Sequence, residues 1–141
     1  MHKRTLFIIR GLPGSGKSTL GETLAPGHCY AADDYFVGDD GVYRFDPRKL
    51  SDAHAQCVQN VGNAMRDGTD LVAVANTFSE SWEADRYSWL AQKHGYTVFV
   101  VECQSNFGSI HNVPERTIAR MRRRWQSAAS FVEAMFPASF S

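Results

Sequence analysis

Three short apolar runs punctuate the chain: Thr5–Ile9 (TLFII), Leu71–Ala75 (LVAVA) and Tyr96–Val101 (YTVFVV). They are rich in β-branched and aromatic residues and bounded by turn-forming or polar positions, the pattern of strands buried on both faces. A shorter run, His28–Ala31, leads to Asp33-Asp34 and is a fourth candidate. Between these runs the apolar period lengthens to that of a helix. Ser18–Leu24 is closed by Pro26-Gly27. Asp46-Pro47 opens a helix with a capping carboxylate and a first-turn proline, and Gly68 ends it. Its expected stripe is Leu50, His54, Val58, Val61 and Met65. A further helix starts at Ser79 or Ser81 and runs to about His94, with Gly95 as its stop. Another runs from Val113-Pro114 to about Trp125, and the tail Ser127–Ser141 holds a short one near Ala129–Phe136. Tyr35–Val37 and Val42–Phe45 flank Gly38-Asp39-Asp40-Gly41, a plausible hairpin tip.

Strand and helix alternate, which predicts an α/β fold: a parallel β-sheet flanked by helices on both faces. A length of 141 residues suits one domain, 1–141, with a lid-like loop at about 104–113 and a helical tail at about 127–141. Ligands of such sheets gather at the carboxyl ends of the strands. The loops after the candidate strands should therefore share one rim. A net charge of zero gives no overall field toward nucleic acid or membrane, so attraction for a polyanion must be local. Three separated cysteines, Cys29, Cys57 and Cys103, form neither a disulfide framework nor a C-x-x-C pair. With no bilayer-length apolar run, the expectation is a reduced, cytoplasmic compartment and no membrane partner.

The chemistry begins at Gly11-Leu12-Pro13-Gly14-Ser15-Gly16-Lys17-Ser18, which fits G-x-x-x-x-G-K-[ST] between a strand and a helix. The glycines let successive N–H groups point at phosphate oxygens, and the helix start adds partial positive charge. The expected nucleotide contacts are Gly11, Pro13, Gly14, Ser15, Gly16, Lys17, Ser18 and Thr19. Lys17 should reach the terminal phosphates of ATP and Ser18 should place its hydroxyl on Mg²⁺. Asp33-Asp34 then supplies carboxylates on the same rim. Transfer to an alcohol needs a carboxylate to orient the hydroxyl and take its proton. Asp33 is the candidate base, and Asp34 orients the loop or helps hold the metal.

The ordered motifs GLPGSGKSTL, ADDYF-x-x-x-x-G-x-Y-x-FD-x-x-x-L-x-x-AH, NT after a strand, and HNVPE-x-x-I-x-R-M resemble the small P-loop kinases grouped with bacteriophage polynucleotide 5′-kinase. The kinase-like domain of a ubiquitin-ligase-binding protein of animals is similar too. The resemblance spans roughly residues 4–125. It implies a four- or five-stranded parallel sheet, Mg-ATP as donor and a hydroxyl acceptor, often the 5′ end of DNA or RNA. It puts Asp33 where these enzymes carry their base. Three positions depart from that pattern. Phe36 replaces a substrate-gripping arginine and is left to stack on a base or line an apolar pocket. Ala75-Asn76-Thr77 lacks the usual acid after the third strand, leaving Asn76 to bond a metal-bound water. No arginine lies between Arg86 and Arg116, so the usual lid arginines are missing.

A substitute is available in the next helix, where Arg116, Arg120 and Arg124 share a face by i, i+4 spacing with Arg123 beside them. Arg120 and Arg124 are the candidates for charge stabilisation; a solvated basic face is the equal alternative. Thr77 and His111 are candidate substrate contacts, each balanced by an ordinary turn or loop role. His54 is expected buried and hydrogen-bonded, and Trp82, Trp89 and Phe99 are expected in packing. Tyr35, Tyr43 and Phe45 either pack the hairpin or form a stacking wall for a nucleoside. The leading expectation is a kinase acting on a polynucleotide 5′-hydroxyl. The rivals are a kinase of a hydroxymethylated DNA base, nucleoside or sugar nucleotide, a toxin-type kinase, and an ATP-binding module or weak ATPase. Oligomeric state is left open.

Overall fold

A computed structural model describes residues 3–105 and 113–136. Four strands form one parallel sheet in the order β2-β3-β1-β4. They are β1 (Thr5–Gly11), β2 (Cys29–Tyr30), β3 (Leu71–Asn76) and β4 (Thr97–Cys103). Their crossovers carry α1 (Lys17–Leu24), α2 (Leu50–Arg66) and α3 (Asp85–His94); α4 (Glu115–Arg123) and α5 (Ala128–Met135) follow β4. The predicted α/β class and parallel sheet are thus present, with the three long apolar runs as strands.

The two-residue period of β1 divides the core. Leu6 and Ile8 join Val72 and Val74 on the face covered by α2, α3 and Phe131 of α5. Ile9 joins Ala73, Ala75 and Ala25 on the face covered by α1. One strand buried on both sides explains why TLFII reads as a continuous apolar run. The second strand is shorter than its expected span, because the chain turns at once into a 3-10 segment, Ala32–Phe36. The hairpin reduces to a single antiparallel bridge between Val37 and Tyr43.

The stripe of α2 is rotated from its expected phase. Its buried residues are Ala53, Cys57, Val61, Ala64 and Met65, whereas Leu50 and His54 are exposed. Small Ala53 and Cys57 let the helix approach the 3-10 segment closely, so the larger Leu50 and His54 turn outward. The expected burial of His54 is therefore wrong. Asp46 does cap, accepting from the Arg48 N–H at 3.0 Å, but it caps a 3-10 turn, Pro47–Lys49, that leads into the α-helix. Trp82, Trp89 and Phe99 are exposed rather than packed inside. Phe99 lies on edge strand β4, stacked on Phe7, and Lys93 lies over the ring of Trp89. No helix among the described residues is long and apolar enough to cross a membrane.

Candidate nucleotide site at the carboxyl rim of the sheet

Gly11 ends β1 beside Cys103 of β4, and its N–H donates to the Thr77 carbonyl at 3.2 Å. The loop between β1 and α1 then turns through Gly14 (φ 84°) and Gly16 (φ 88°), left-handed conformations that side-chain-bearing residues adopt at a cost. A Cβ on Gly11 would fall 2.9 Å from the Cys103 carbonyl, so this position admits only glycine without rearrangement. The first intrahelical bond of α1 runs from the Leu20 N–H to the Gly16 carbonyl. The N–H groups of Lys17, Ser18 and Thr19 therefore precede the helical ladder and face its open end. Gly16, as the helix cap, brings no side chain to occupy them.

The residues present fit a polyphosphate. Ser15 Oγ is buried and lacks a protein hydrogen-bond partner in the loop. The Lys17 ammonium folds back onto the Leu12 carbonyl at 3.1 Å. Burial pulls Lys17 below its ordinary range; the Cys103 sulfur and the Asp33 carboxylate oppose that shift. Oriented N–H groups, a half-buried cation and a hydroxyl at the helix start form a nest for bound anionic oxygens. Among the described residues no group of three or more His, Cys, Asp or Glu could cage a metal. For a Mg²⁺ ion, the candidate protein oxygens are those of Ser18, exposed on the first turn of α1, and Asp34.

Asp33 and Asp34 lie on the 3-10 segment after β2, both exposed. The Tyr43 hydroxyl donates to Asp33 Oδ1 at 3.2 Å, across the hairpin. Burial pushes the Tyr43 phenol up to about 12, with the Asp33 charge and then this hydrogen bond adding to it. Asp34 Oδ2 accepts from the Ala31 N–H at 3.0 Å, so this carboxylate orients its own loop. Partial burial of the carboxylate against its loop raises the Asp34 pKa above the ordinary carboxylate range; the Ala31 bond lowers it, and Asp33 and Glu22 raise it further. A small cavity of about 90 Å³ beside Asp34, bounded also by Gln56, Cys57 and Asn60, has room for a few waters.

Two expected substrate contacts are occupied by the fold. Phe36 is 5% exposed, edge-to-face with Tyr35, Tyr43 and Phe45, which makes it the centre of an aromatic cluster and removes it from a bound base or phosphate. Those three partners ring Phe36 at the hairpin, with Tyr35 and Phe45 still 39% and 50% exposed. Asn76, also buried, accepts from the Ala32 N–H at 2.9 Å and faces Cys57 Sγ with its amide, so it pins β3 to the 3-10 segment and α2 instead of meeting a metal-bound water. Thr77 stays half-buried on the rim, bonded to Gly11 by its carbonyl. Arg120 and Arg124 are exposed at the end of α4, and Arg120 donates to Thr117 Oγ1 at 3.3 Å. His111 lies outside the described residues, as does most of the expected lid-like loop.

Sequence reading missed Arg10, the residue before the cradle. It is fully buried. Its Nη1 pairs with Glu102 Oε1 at 2.8 Å, its cross-strand neighbour in register. Its Nε donates to the Phe78 carbonyl and its Nη2 to the carbonyls of Ser79 and Gln126. The guanidinium carbon is 4.0 Å from the ring centroids of both Trp125 and Phe131. Phe78 itself has φ 46°, a left-handed conformation for a bulky residue that costs about 1–3 kcal/mol. The available signal was phase: Arg10 continues the Leu6, Ile8 parity of a buried strand face.

Residues 6–111 match the AAA domain family. Human NEDD4-binding protein 2 is 33% identical over 138 residues, covering 89% of this chain and 8% of that protein. Mouse 2′,3′-cyclic-nucleotide 3′-phosphodiesterase is 30% identical over 102 residues, covering 70% of this chain and 24% of that protein. The chain thus spans less than a quarter of the length of either relative. A Chloroflexus aurantiacus protein assigned as a kinase superposes with TM-score 0.58 at 22% identity, over 94% of this chain and 75% of that one. A gluconokinase from Sinorhizobium meliloti 1021 superposes with TM-score 0.57 at 14% identity, over 90% of this chain and 78% of that one. These structural likenesses carry the fold.

Proposed function

The chain belongs to the AAA domain family as a P-loop kinase-like nucleotide-binding domain, and from that premise we propose that it transfers the γ-phosphoryl group of ATP to a hydroxyl acceptor, preferentially a polynucleotide 5′-hydroxyl. One observation carries this reading: the glycine cradle, with its buried and unpartnered Ser15 Oγ, follows β1, and Asp33 follows β2 of the same parallel sheet, so both leave the carboxyl ends of strands. A phosphate cradle and a candidate base on one rim are what transfer to an alcohol requires.

In this reading Lys17 and the N–H groups of the cradle hold the donor phosphates, with Ser18 and Asp34 supplying protein oxygens to Mg²⁺. Mg²⁺, when bound, would neutralise charge on the phosphate oxygens. Asp33 orients the acceptor hydroxyl and takes its proton as the oxygen attacks the γ-phosphorus and the bond from that phosphorus to the β,γ-bridging oxygen of the departing ADP breaks. Tyr43 holds Asp33 Oδ1 through its hydroxyl, which keeps the carboxylate on the rim. Arg120 and Arg124 are the proposed stabilisers of charge on the transferring group, and Thr77 and His111 the proposed acceptor contacts. A binding module with little turnover is the second reading. It is favoured by the engagement of Asn76 and Phe36 within the fold, which leaves fewer groups for an acceptor.

Incubation with γ-labelled ATP and either 5′-hydroxyl DNA, 5′-hydroxyl RNA, DNA with hydroxymethylated bases, nucleosides, sugar nucleotides or buffer separates these readings. Labelled oligonucleotide is the expected product. Asp33→Asn should lower transfer about 10²–10⁴-fold with ATP affinity nearly unchanged, whereas Lys17→Ala should weaken ATP binding itself. Full transfer by Asp33→Asn removes the base assignment. Tight ATP binding without turnover on any acceptor replaces the kinase with the binding module.

A further inference from the structure

Arg10 stands one residue before the phosphate cradle, yet none of its contacts is directed at a nucleotide. Its four hydrogen bonds go instead to three separate segments: Phe78 and Ser79 after β3, Glu102 at the end of β4, and Gln126 after α4. The Trp125 ring closes over one part of the guanidinium environment and Phe131 over another, both at 4.0 Å. Gln126 repeats the same junction from its own side. Its N–H donates to the Ser79 carbonyl at 2.8 Å and its Oε1 accepts from the Ser81 N–H at 2.7 Å. The chain leaving α4 is therefore fastened to the rim at the residues that directly follow Arg124. On the other side, Glu102 Oε2 accepts from Gln104 at 2.9 Å, so the chain leaving β4 is bonded to the same carboxylate that Arg10 engages.

Helix α4 buries no residue completely; its Ile118 and Met121 are only half-buried. Its own packing is thus a weak determinant of its position, and the Trp125–Gln126 junction is the strong one. From this we infer that Arg10 is a positioning residue: it holds the carboxyl end of α4 against the cradle strand and so sets where Arg120 and Arg124 stand relative to the bound phosphates. The inference rests on the phosphotransfer reading for its catalytic consequence, and on the Arg10 contacts alone for the tether. The planar fork is essential to it. Lysine would keep a cation opposite Glu102 but could not bond Phe78, Ser79 and Gln126 together or stack between two rings.

The test compares the full chain as wild type, Arg10→Lys and Trp125→Leu. The readouts are tryptic cleavage at the arginines of α4, Mg-ATP affinity, and transfer from labelled Mg-ATP to a 5′-hydroxyl oligonucleotide. Both variants should be cleaved in α4 about tenfold faster than wild type, because loss of the tether lowers the local opening free energy. Transfer should fall about 10²-fold in kcat, with KM for ATP changed less than about threefold, since positioning and not the cradle is altered. A general loss of structure would instead move both constants together. Wild-type cleavage rates in a folded Arg10→Lys chain overturn the inference, as does faster cleavage with an unchanged kcat. If Arg10→Lys shows no cooperative unfolding transition, Trp125→Leu decides by the same readouts, because it removes one of the two rings that hold the guanidinium at this junction while leaving the Arg10 charge opposite Glu102. If wild type phosphorylates no acceptor, the phosphotransfer reading fails, and the cleavage rates still decide whether Arg10 holds α4.

Discussion

Asp34 carries a charge that the fold disfavours. Its carboxyl is raised above the ordinary range by burial and by the negative charges of Asp33 and Glu22, against the single Ala31 N–H bond. At low pH both folded and unfolded chains carry the proton and the conflict is silent. As pH rises through the ordinary carboxylate range the unfolded chain releases its proton first. The folded chain then holds more protons, and stability falls until its own pKa is passed. Asp34→Asn keeps an oxygen for the Ala31 N–H and removes the charge. We expect it to flatten the decline in stability as pH rises above the ordinary carboxylate range and to raise the melting temperature at neutral pH. The same change should raise the Mg²⁺ concentration needed for turnover. Denaturant melts across pH decide the first point: a decline as steep as wild type refutes the assignment. At this scale the cradle was legible because its motif fixes residue types at fixed spacing. Arg10 was not, since a charge at the end of an apolar run reads as the end of a strand. Only the meeting of three remote carbonyls, Glu102 and two rings makes its burial tolerable.

Helices α2 and α3 mark the limit of legibility for whole elements. Both were visible from apolar period and glycine stops, and Gly95 does end α3 in a left-handed conformation, φ 76°. A Cβ there would meet nothing within 4 Å. Gly95→Ala should therefore destabilise the chain through backbone strain alone, by about 1–2 kcal/mol. A shift in the urea midpoint without a change in m-value is the expected signature; no shift would mean that the helix end relaxes freely. The phase of α2 was not legible in the same way. Its sequence offers two overlapping stripes, one through Leu50, His54 and Val58 and one through Ala53, Cys57 and Val61. Hydrophobicity favours the larger residues, but close packing against Ala32–Phe36 selects the smaller ones. Likewise the exposed Trp82 and Trp89 show that aromatic character alone does not decide which face of a helix turns inward.

For the molecule as a whole, a ligand that binds only the folded state must raise its stability. At about 100 times its dissociation constant, Mg-ATP should add about 2.7 kcal/mol. Thermal melts of wild type with and without Mg-ATP check this, and Lys17→Ala should lose most of the shift at the same concentration. A wild type whose melting temperature ignores Mg-ATP would remove the nucleotide from the site. The sequence by itself determined the parallel α/β order, the position of the phosphate cradle and the carboxylates that follow the second strand. These depend on local period, glycine backbone freedom and short motifs, all contained within a few neighbouring residues. Only the tertiary structure decided that Phe36 and Asn76 belong to the core, that α2 presents its small residues inward, and that Arg10 joins the cradle strand to the end of α4. Those outcomes depend on which distant groups can fill a shared volume and satisfy a buried charge, and the hydrogen-bond partners of Arg10 lie 68 to 116 residues away along the chain.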